Sequence, residues 1–315
     1  MKYLKAFFIF FSLFINATGQ DAGIYDDLVQ AGENQISQRD YYGAIDQFNE
    51  AISIFPNRPE AYVGRANARK RLQDYNNAFS DIDKATDMDP SYAEAYIVSG
   101  DIHAGLQEYE LALADYNMAL EHDPTNRNAL NSKIIVLLQM NQTKDAQKMI
   151  ENAIKSYPDY GEFYYSRGIL QNSKDRFSKA IEDFNMSLEK GLNTDPFGIY
   201  VNRGFSFLGL GEFDNAVADF SKAIDIDPEN ASVYHSRARA YYHLNNFEEA
   251  IHDLKKSVEL NQSNAVMYYD LGMAYLRIDD TSHACENFQR SCQLGNKNAC
   301  KKYLYECTTD IDDLK

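Results

Sequence analysis

FGIYVNRGFSFLGLGEFDNAVADFSKAIDIDPEN, residues 197–230, decides the fold of this 315-residue chain. Tyr200, Gly204 and Phe207 follow one another at steps of four and three, and so do Ala216, Phe220 and Ala223. Side chains at those steps share one face of a helix. Leu210-Gly211-Glu212-Phe213 between the two runs has the length and the glycine of a helix–helix turn. Pro228 stops the second helix, because its ring clashes with the preceding turn and it has no N–H. Small residues at Gly204 and Ala216 let the two backbones approach closely, while Tyr200 and Phe220 fill the space beside that contact. The segment reads as a helical hairpin.

The hairpin recurs along the chain. Ala216 belongs to a register of eight alanines, Ala44, Ala78, Ala112, Ala146, Ala180, Ala216, Ala250 and Ala284, spaced by 34 residues except for 36 between Ala180 and Ala216. With each alanine numbered position 20, position 4 is Leu or Tyr, and position 8 is Gly or Ala except for Ile134. Position 24 is large, position 27 is Ala or Ser, and position 32 is proline at Pro56, Pro90, Pro124, Pro158 and Pro228. A fixed period of this length means stacked supersecondary units rather than one globular core.

The pattern resembles the tetratricopeptide repeat (TPR), whose signature is an aromatic at 4, small residues at 8, 20 and 27, and proline at 32. Tyr stands at the family's Trp position, since the chain has no Trp. The resemblance implies an all-α fold: a right-handed superhelical solenoid of eight TPR hairpins plus a C-terminal capping helix. The units fall at about 25–58, 59–92, 93–126, 127–160, 161–196, 197–230, 231–264 and 265–294, followed by a capping helix at 297–307 and a disordered acidic tail at 308–315. Two extra residues within Gly191–Pro196 form a local loop between the fifth and sixth units.

A second regularity runs through the hairpins. Arg65, Arg167, Arg203 and Arg237 stand at position 7, and Asp81, Asp183, Asp219 and Asp253 follow 16 residues later at position 23. Antiparallel helices bring these positions together, which predicts repeated structural Arg–carboxylate pairs.

The formal charge is −16, which argues against sequence-independent binding of nucleic acid or anionic lipid, since both require clustered Lys and Arg. The N-terminus reads as a signal peptide over residues 1–19: Lys2 and Lys5, an apolar run from Ala6 to Ile15, and Ala17-Thr18-Gly19 as a cleavage site before Gln20. That run is too short to cross a bilayer, which takes roughly 20 residues in a helix, so no membrane span is expected after cleavage. The leader resembles those of exported bacterial proteins and predicts periplasmic or secreted residence.

All four cysteines lie at the C-terminal end: Cys285, Cys292, Cys300 and Cys307. Cys285 and Cys292 are seven apart on one helix, about 10.5 Å, beyond the roughly 7 Å reach of a bridge; the same holds for Cys300 and Cys307. Bridges must therefore cross between helices. Antiparallel helices give a nested ladder, Cys292–Cys300 near the turn and Cys285–Cys307 farther out. The spacing of Cys292 and Cys300 resembles the helix-to-helix bridge of Sel1-like repeats. A zinc site is the competing reading, but the Cys-x2-Cys spacing is missing and an exported protein meets oxidising conditions.

In the TPR family the first helices line a concave groove, mainly through positions 2, 5, 9, 12 and 13. The resemblance implies a partner-binding strip containing Tyr165, Asn202, His235, Arg239, Tyr242 and Tyr269; Tyr and Arg are residue types that dominate interface energetics. Ile169, Phe205 and Met273 belong either to that strip or to contacts between repeats. Phosphate loops, nucleophile elbows and His-Glu-x-x-His are missing. His235 and His243, eight apart on one face and without a nearby carboxylate or third ligand, read as ordinary groove or surface residues. The sequence thus predicts no enzyme, cofactor or metal, but a scaffold or adaptor of the cell envelope that takes a protein or peptide partner in its groove. The alternative is a structural or self-associating component of an envelope assembly or secretion complex.

Overall fold

A computed structural model describes residues 21–191 and 196–307. The signal segment at 1–19, most of the loop between the fifth and sixth repeats, and the tail at 308–315 lie outside the described residues. All regular structure in the described residues is helical. Helix α1 covers 21–37, and α2 to α8 follow at Tyr41–Ile54, Pro59–Arg71, Tyr75–Met88, Ala93–Gly105, Tyr109–His122, Arg127–Gln139 and Thr143–Ser156. Then come α9 (Gly161–Asn172), α10 (Phe177–Lys190), α11 (Phe197–Leu210), α12 (Phe213–Ile226), α13 (Ala231–His243), α14 (Phe247–Leu260), α15 (Ala265–Arg277), α16 (Thr281–Gln293) and α17 (Lys297–Cys307). The chain divides into an N-terminal unit ending at Ala146 and a C-terminal unit starting at Gln147. In the first, α3 packs on α4 and α5 on α6; in the second, α9 packs on α10, α11 on α12, α13 on α14 and α15 on α16, with α17 against α16. The fold is the all-α array of repeated hairpins closed by one further helix that the 34-residue period implies.

Position 8 and position 24 are chosen together. A Cβ added to Gly32, Gly100, Gly168, Gly204 or Gly272 would come within 2.5–2.8 Å of the ring of Phe48, Tyr116, Phe184, Phe220 or Phe288 respectively. Each glycine at 8 therefore admits an aromatic ring at 24. Where position 8 is alanine, at Ala66 and Ala238, position 24 is the smaller Ile82 or Leu254, and both pairs lie in the buried core. Interiors packed this tightly leave no room for an extra methyl group without movement.

The position-4 tyrosines do more than fill space. Tyr62, Tyr96 and Tyr164 each donate a hydroxyl hydrogen bond of 2.9–3.1 Å to the carbonyl of the position-32 proline six residues earlier, Pro56, Pro90 and Pro158. Proline ends one repeat and the next repeat's tyrosine satisfies its exposed acceptor, which fixes the connection.

The predicted Arg–Asp pairs are present in all four hairpins. Arg65, Arg203 and Arg237 use two nitrogens against both oxygens of Asp81, Asp219 and Asp253, at 2.6–2.9 Å. The remaining nitrogen of each reaches position 25 of the preceding repeat: Asn49, Asn185 or Ser221. Arg167 instead puts two nitrogens on a single oxygen of Asp183. Burial raises the Asp183 carboxyl above its ordinary range, opposed by that hydrogen bond and the Arg167 charge.

The turns depart from the sequence expectation. Position 15 has a left-handed backbone in every repeat, but only Gly211 is glycine there. Arg39, Gln73, Gln107, Asn141, Asp175, Asn245 and Asp279 hold φ between 54° and 63°, a region that L-residues enter at a cost. The tight hairpin geometry, enforced by packing on both sides, overrides local preference.

At the C-terminal end Cys285–Cys307 and Cys292–Cys300 are disulfides, with Cα separations of 5.6 and 4.7 Å. They join α17 to α16, and Tyr303 and Cys307 pack against the core that contains Leu271, Tyr275 and Phe288.

Candidate functional site

The first helices of successive repeats touch along a face through two recurring contacts. In one, position 5 reaches position 6 of the next repeat: the Tyr165 hydroxyl accepts from Asn202 Nδ2 at 3.1 Å, and His235 Nε2 lies 2.7 Å from Asp270 Oδ2. In the other, position 12 meets position 9 of the next repeat: Lys70 Nζ lies 2.7 Å from Asp101 Oδ2, and Tyr242 lines one cavity with Met273. The 34-residue period therefore places these partners about one repeat apart in sequence.

The six residues of the expected strip stand in two settings. Tyr165 and Asn202 are engaged with each other, and Asn202 also donates to the Gly198 carbonyl at 2.8 Å. Asn202 stands at position 6 and stitches repeats together. Burial pushes the Tyr165 hydroxyl above its ordinary value, and the Asn202 bond pulls partly the other way. His235 is likewise tied down, by the carboxylate of Asp270. That acid lies on the first helix of the next repeat, 35 residues on, beyond any helical spacing from His235.

Arg239, Tyr242 and Tyr269 converge. Together with Ala238, His243, Leu254, Asp270 and Met273 they line a cavity of about 230 Å³ between α13 and α15. Its floor is apolar, from Ala238, Leu254 and Met273, and Tyr269 sets its ring 5.8 Å from Phe288 behind it. Arg239 is the cation of the lining, and a second arginine touches it through Tyr242. Arg277 lies 4.4 Å from the Phe247 ring and 5.5 Å from the Tyr242 ring, and donates to the Tyr242 hydroxyl at 3.4 Å. The imidazole of His243 stacks on Phe213 at 4.7 Å with planes 7° apart. Arg239 is exposed and has no ion-pair partner among the described residues. The reason is the position 12 to position 9 contact: the residue at position 12 of the preceding repeat is Leu208, which offers no carboxylate.

The N-terminal unit carries a larger cavity, about 500 Å³, which the sequence reading passed over. Its lining includes Lys70, Arg71, Asp101, Tyr116, Ser132 and Gln139 beside Ile102, Ile135 and Val136. Asp101 holds Lys70 on one oxygen and the Tyr116 hydroxyl, at 2.9 Å, on the other. The Tyr116 phenol is held far above its usual pKa, first by burial and then by the adjacent Asp101 charge. Lys70 at position 12 and Asp101 at position 9 were the signal in the sequence that could have found this pair.

Among the described residues no three His, Cys, Asp or Glu side chains are placed to hold a metal ion, and no helix is long and apolar enough to cross a membrane. The C-terminal cavity is smaller than the roughly 300–1,000 Å³ of small-molecule sites.

Comparison with known proteins bears on the fold. Residues 204–245 and 238–279 match a family model described as TPR repeat, residues 59–92 one described as tetratricopeptide repeat, and residues 93–191 one described as the TT21 fifth ARM repeats domain. A 102-residue segment, 32% of the chain, is 29% identical to UDP-N-acetylglucosamine–peptide N-acetylglucosaminyltransferase of Giardia intestinalis, of which it covers only 7%. Among solved structures, the crystal structure of the APC/C hetero-tetramer Cut9-Hcn1 is similar with a TM-score of 0.67 at 15% identity over 79% of this chain and 52% of that one. Yeast Tom70 is similar with a TM-score of 0.57 at 20% identity, over 89% of this chain and 57% of Tom70. The chain thus spans little more than half of these structures and a small fraction of the glycosyltransferase, and at such identity the structures speak for the fold alone.

Proposed function

We infer that this chain, which carries tetratricopeptide repeats, is a non-catalytic scaffold that binds a segment of a partner protein on the first-helix face of its C-terminal unit. One observation carries the reading. Three side chains singled out by the repeat register, Arg239, Tyr242 and Tyr269, line a single apolar cavity with a cationic mouth. Tyr and Arg around a desolvated pocket are the usual composition of an interface hot spot. Tyr165 and Asn202, in earlier repeats, and His235, on the same helix as Arg239, support the site rather than contact the partner directly.

The working place of the protein is outside the cytosol, in the periplasm or beyond it. Both pairs of cysteines are disulfides, which persist in oxidising compartments, and the apolar segment after Lys5 suits export.

Photo-crosslinking tests the groove. With benzoylphenylalanine replacing Tyr242 in cells, one partner protein should be captured, and Tyr269→Ala in the same chain should abolish its capture. A chain that crosslinks only to further copies of itself, or whose capture is indifferent to Tyr269→Ala, would favour the structural, self-associating alternative.

A further inference from the structure

We propose that the segment received by the C-terminal cavity is acidic, with an aromatic or large aliphatic side chain flanked by carboxylates; this rests on the groove reading above and specifies its ligand. The apolar group fills the space above Leu254, Ala238 and Met273, and the flanking carboxylates meet Arg239 in the lining and Arg277, which lies behind Tyr242.

The argument is one of charge left over. The chain as a whole is strongly acidic, at −16, so a cationic mouth runs against its average. The arginines at position 7 are each neutralised by an aspartate of their own hairpin. Lys70, on the corresponding face of the N-terminal unit, is neutralised by Asp101. Arg239 stands in that same face without such a partner, beside an apolar hollow, because position 12 of the preceding repeat is Leu208. Arg277 is held by aromatic faces and a phenol, contacts that leave its positive charge uncancelled. The one acid in the lining, Asp270, is already committed to His235. A basic segment would meet Arg239, with Arg277 behind Tyr242; a neutral one would leave Arg239 uncompensated as the interface closed over it. A carboxylate beside the inserted side chain satisfies it with a planar, two-pronged pairing.

The occupant is a segment of another protein. Residues 308–315 of this chain have related chemistry, with Asp310, Ile311, Asp312, Asp313 and Leu314, and the test separates the two sources.

Four fluorescein-labelled Gly/Ser peptides serve as probes, with the centres Asp-Asp-Phe-Asp-Asp, Asp-Asp-Gly-Asp-Asp, Lys-Lys-Phe-Lys-Lys and Gly-Gly-Phe-Gly-Gly. Their anisotropy is followed with the full chain. The acidic aromatic peptide should bind tightest, and Arg239→Glu should weaken it by about ten-fold or more, the scale of a like-charge juxtaposition, while making the basic aromatic peptide the better ligand. Since Arg239 is exposed and unpaired, this variant keeps its thermal midpoint. Equal or tighter binding of the basic or neutral aromatic peptide to the unaltered chain overturns the proposal but leaves the groove reading standing, because crosslinking at Tyr242 does not depend on ligand charge. Binding that ignores Arg239→Glu overturns it as well, as does a failure of all four peptides to bind. Binding seen only when the chain is cut after Cys307 assigns the cavity to the chain's own acidic end and overturns the choice of occupant.

Discussion

In the N-terminal unit, Lys70 at position 12 faces a repeat that answers with Asp101 at position 9. In the C-terminal unit the cation is at position 9, as Arg239, and the repeat before it supplies Leu208 at position 12. The same backbone contact thus yields a closed ion pair in one place and an open charge in the other. Repeat geometry decides which positions meet. The residue choice one period away decides whether a charge is used up inside the fold or left for a partner. The larger hollow spends its lysine, carboxylate and buried phenol on one another and keeps one exposed guanidinium, Arg71, at its lining, whereas the smaller one sets its guanidinium beside an apolar floor.

The comparison breaks most sharply at Asp101. Replacing it with Ala strands Lys70, whose side chain is 14% exposed, and removes the acceptor of the Tyr116 hydroxyl. Breaking a buried pair costs about 3–5 kcal/mol, and the partial exposure of Asp101 lowers the expected loss to about 2 kcal/mol. Urea unfolding of the N-terminal transition measures it. The double variant Lys70→Met with Asp101→Leu should recover most of the loss. If Asp101→Ala leaves the midpoint where it was, the pair is not what holds that cavity together, and the two units do not differ as described.

Gly100→Ala attacks the same cavity from beneath. The added methyl group would come within 2.7 Å of the Tyr116 ring, and overpacking of this kind costs about 1–3 kcal/mol. Tyr116→Leu in the same chain makes room and should reduce the penalty, as Ala66 with Ile82 does naturally one repeat earlier. Independent costs that simply add would refute the coupling of positions 8 and 24.

Much of this was legible in the sequence, and the limits were physical. The period located the hairpins because core contacts repeat with the chain, and it located the Arg–Asp pairs because both partners lie within one hairpin. It did not show the turn conformation: seven non-glycine residues hold positive φ at position 15, where local preference gives way to the packing of two helices. Nor did it show Asp270 beside His235 or Asp101 beside Lys70, since those partners belong to the next repeat and no window on one helix contains both. The groove positions carried over from the family held Tyr242 and Tyr269 at the cavity but also gathered Tyr165, whose hydroxyl is taken by Asn202.

The turns allow a smaller test in both units. Gln107→Gly relieves the left-handed strain at φ 63°, and Gly211→Ala introduces it at φ 77°; changes of about 0.5–1 kcal/mol in opposite directions follow. Thermal midpoints of the two variants check the sign. Both signs reversed, with Gln107→Gly destabilising and Gly211→Ala stabilising, would mean that unfolded-chain entropy, not turn strain, governs position 15.

The smallest expected effect discriminates best. Arg239→Ala removes an exposed side chain with no ion-pair partner, so stability should stay within about 0.5 kcal/mol. Lys70→Ala, one step along the corresponding face of the other unit, should cost more because it strands Asp101. Binding should rank them in reverse: loss of Arg239 weakens capture of a partner, while loss of Lys70 leaves capture at the C-terminal cavity unchanged. A cation that matters to the fold is one whose partner is already present, and a cation that matters to recognition is one whose partner is still to come. Equal destabilisation by the two alanine substitutions would mean that Arg239 is also a structural residue, and the open charge would no longer distinguish the two cavities.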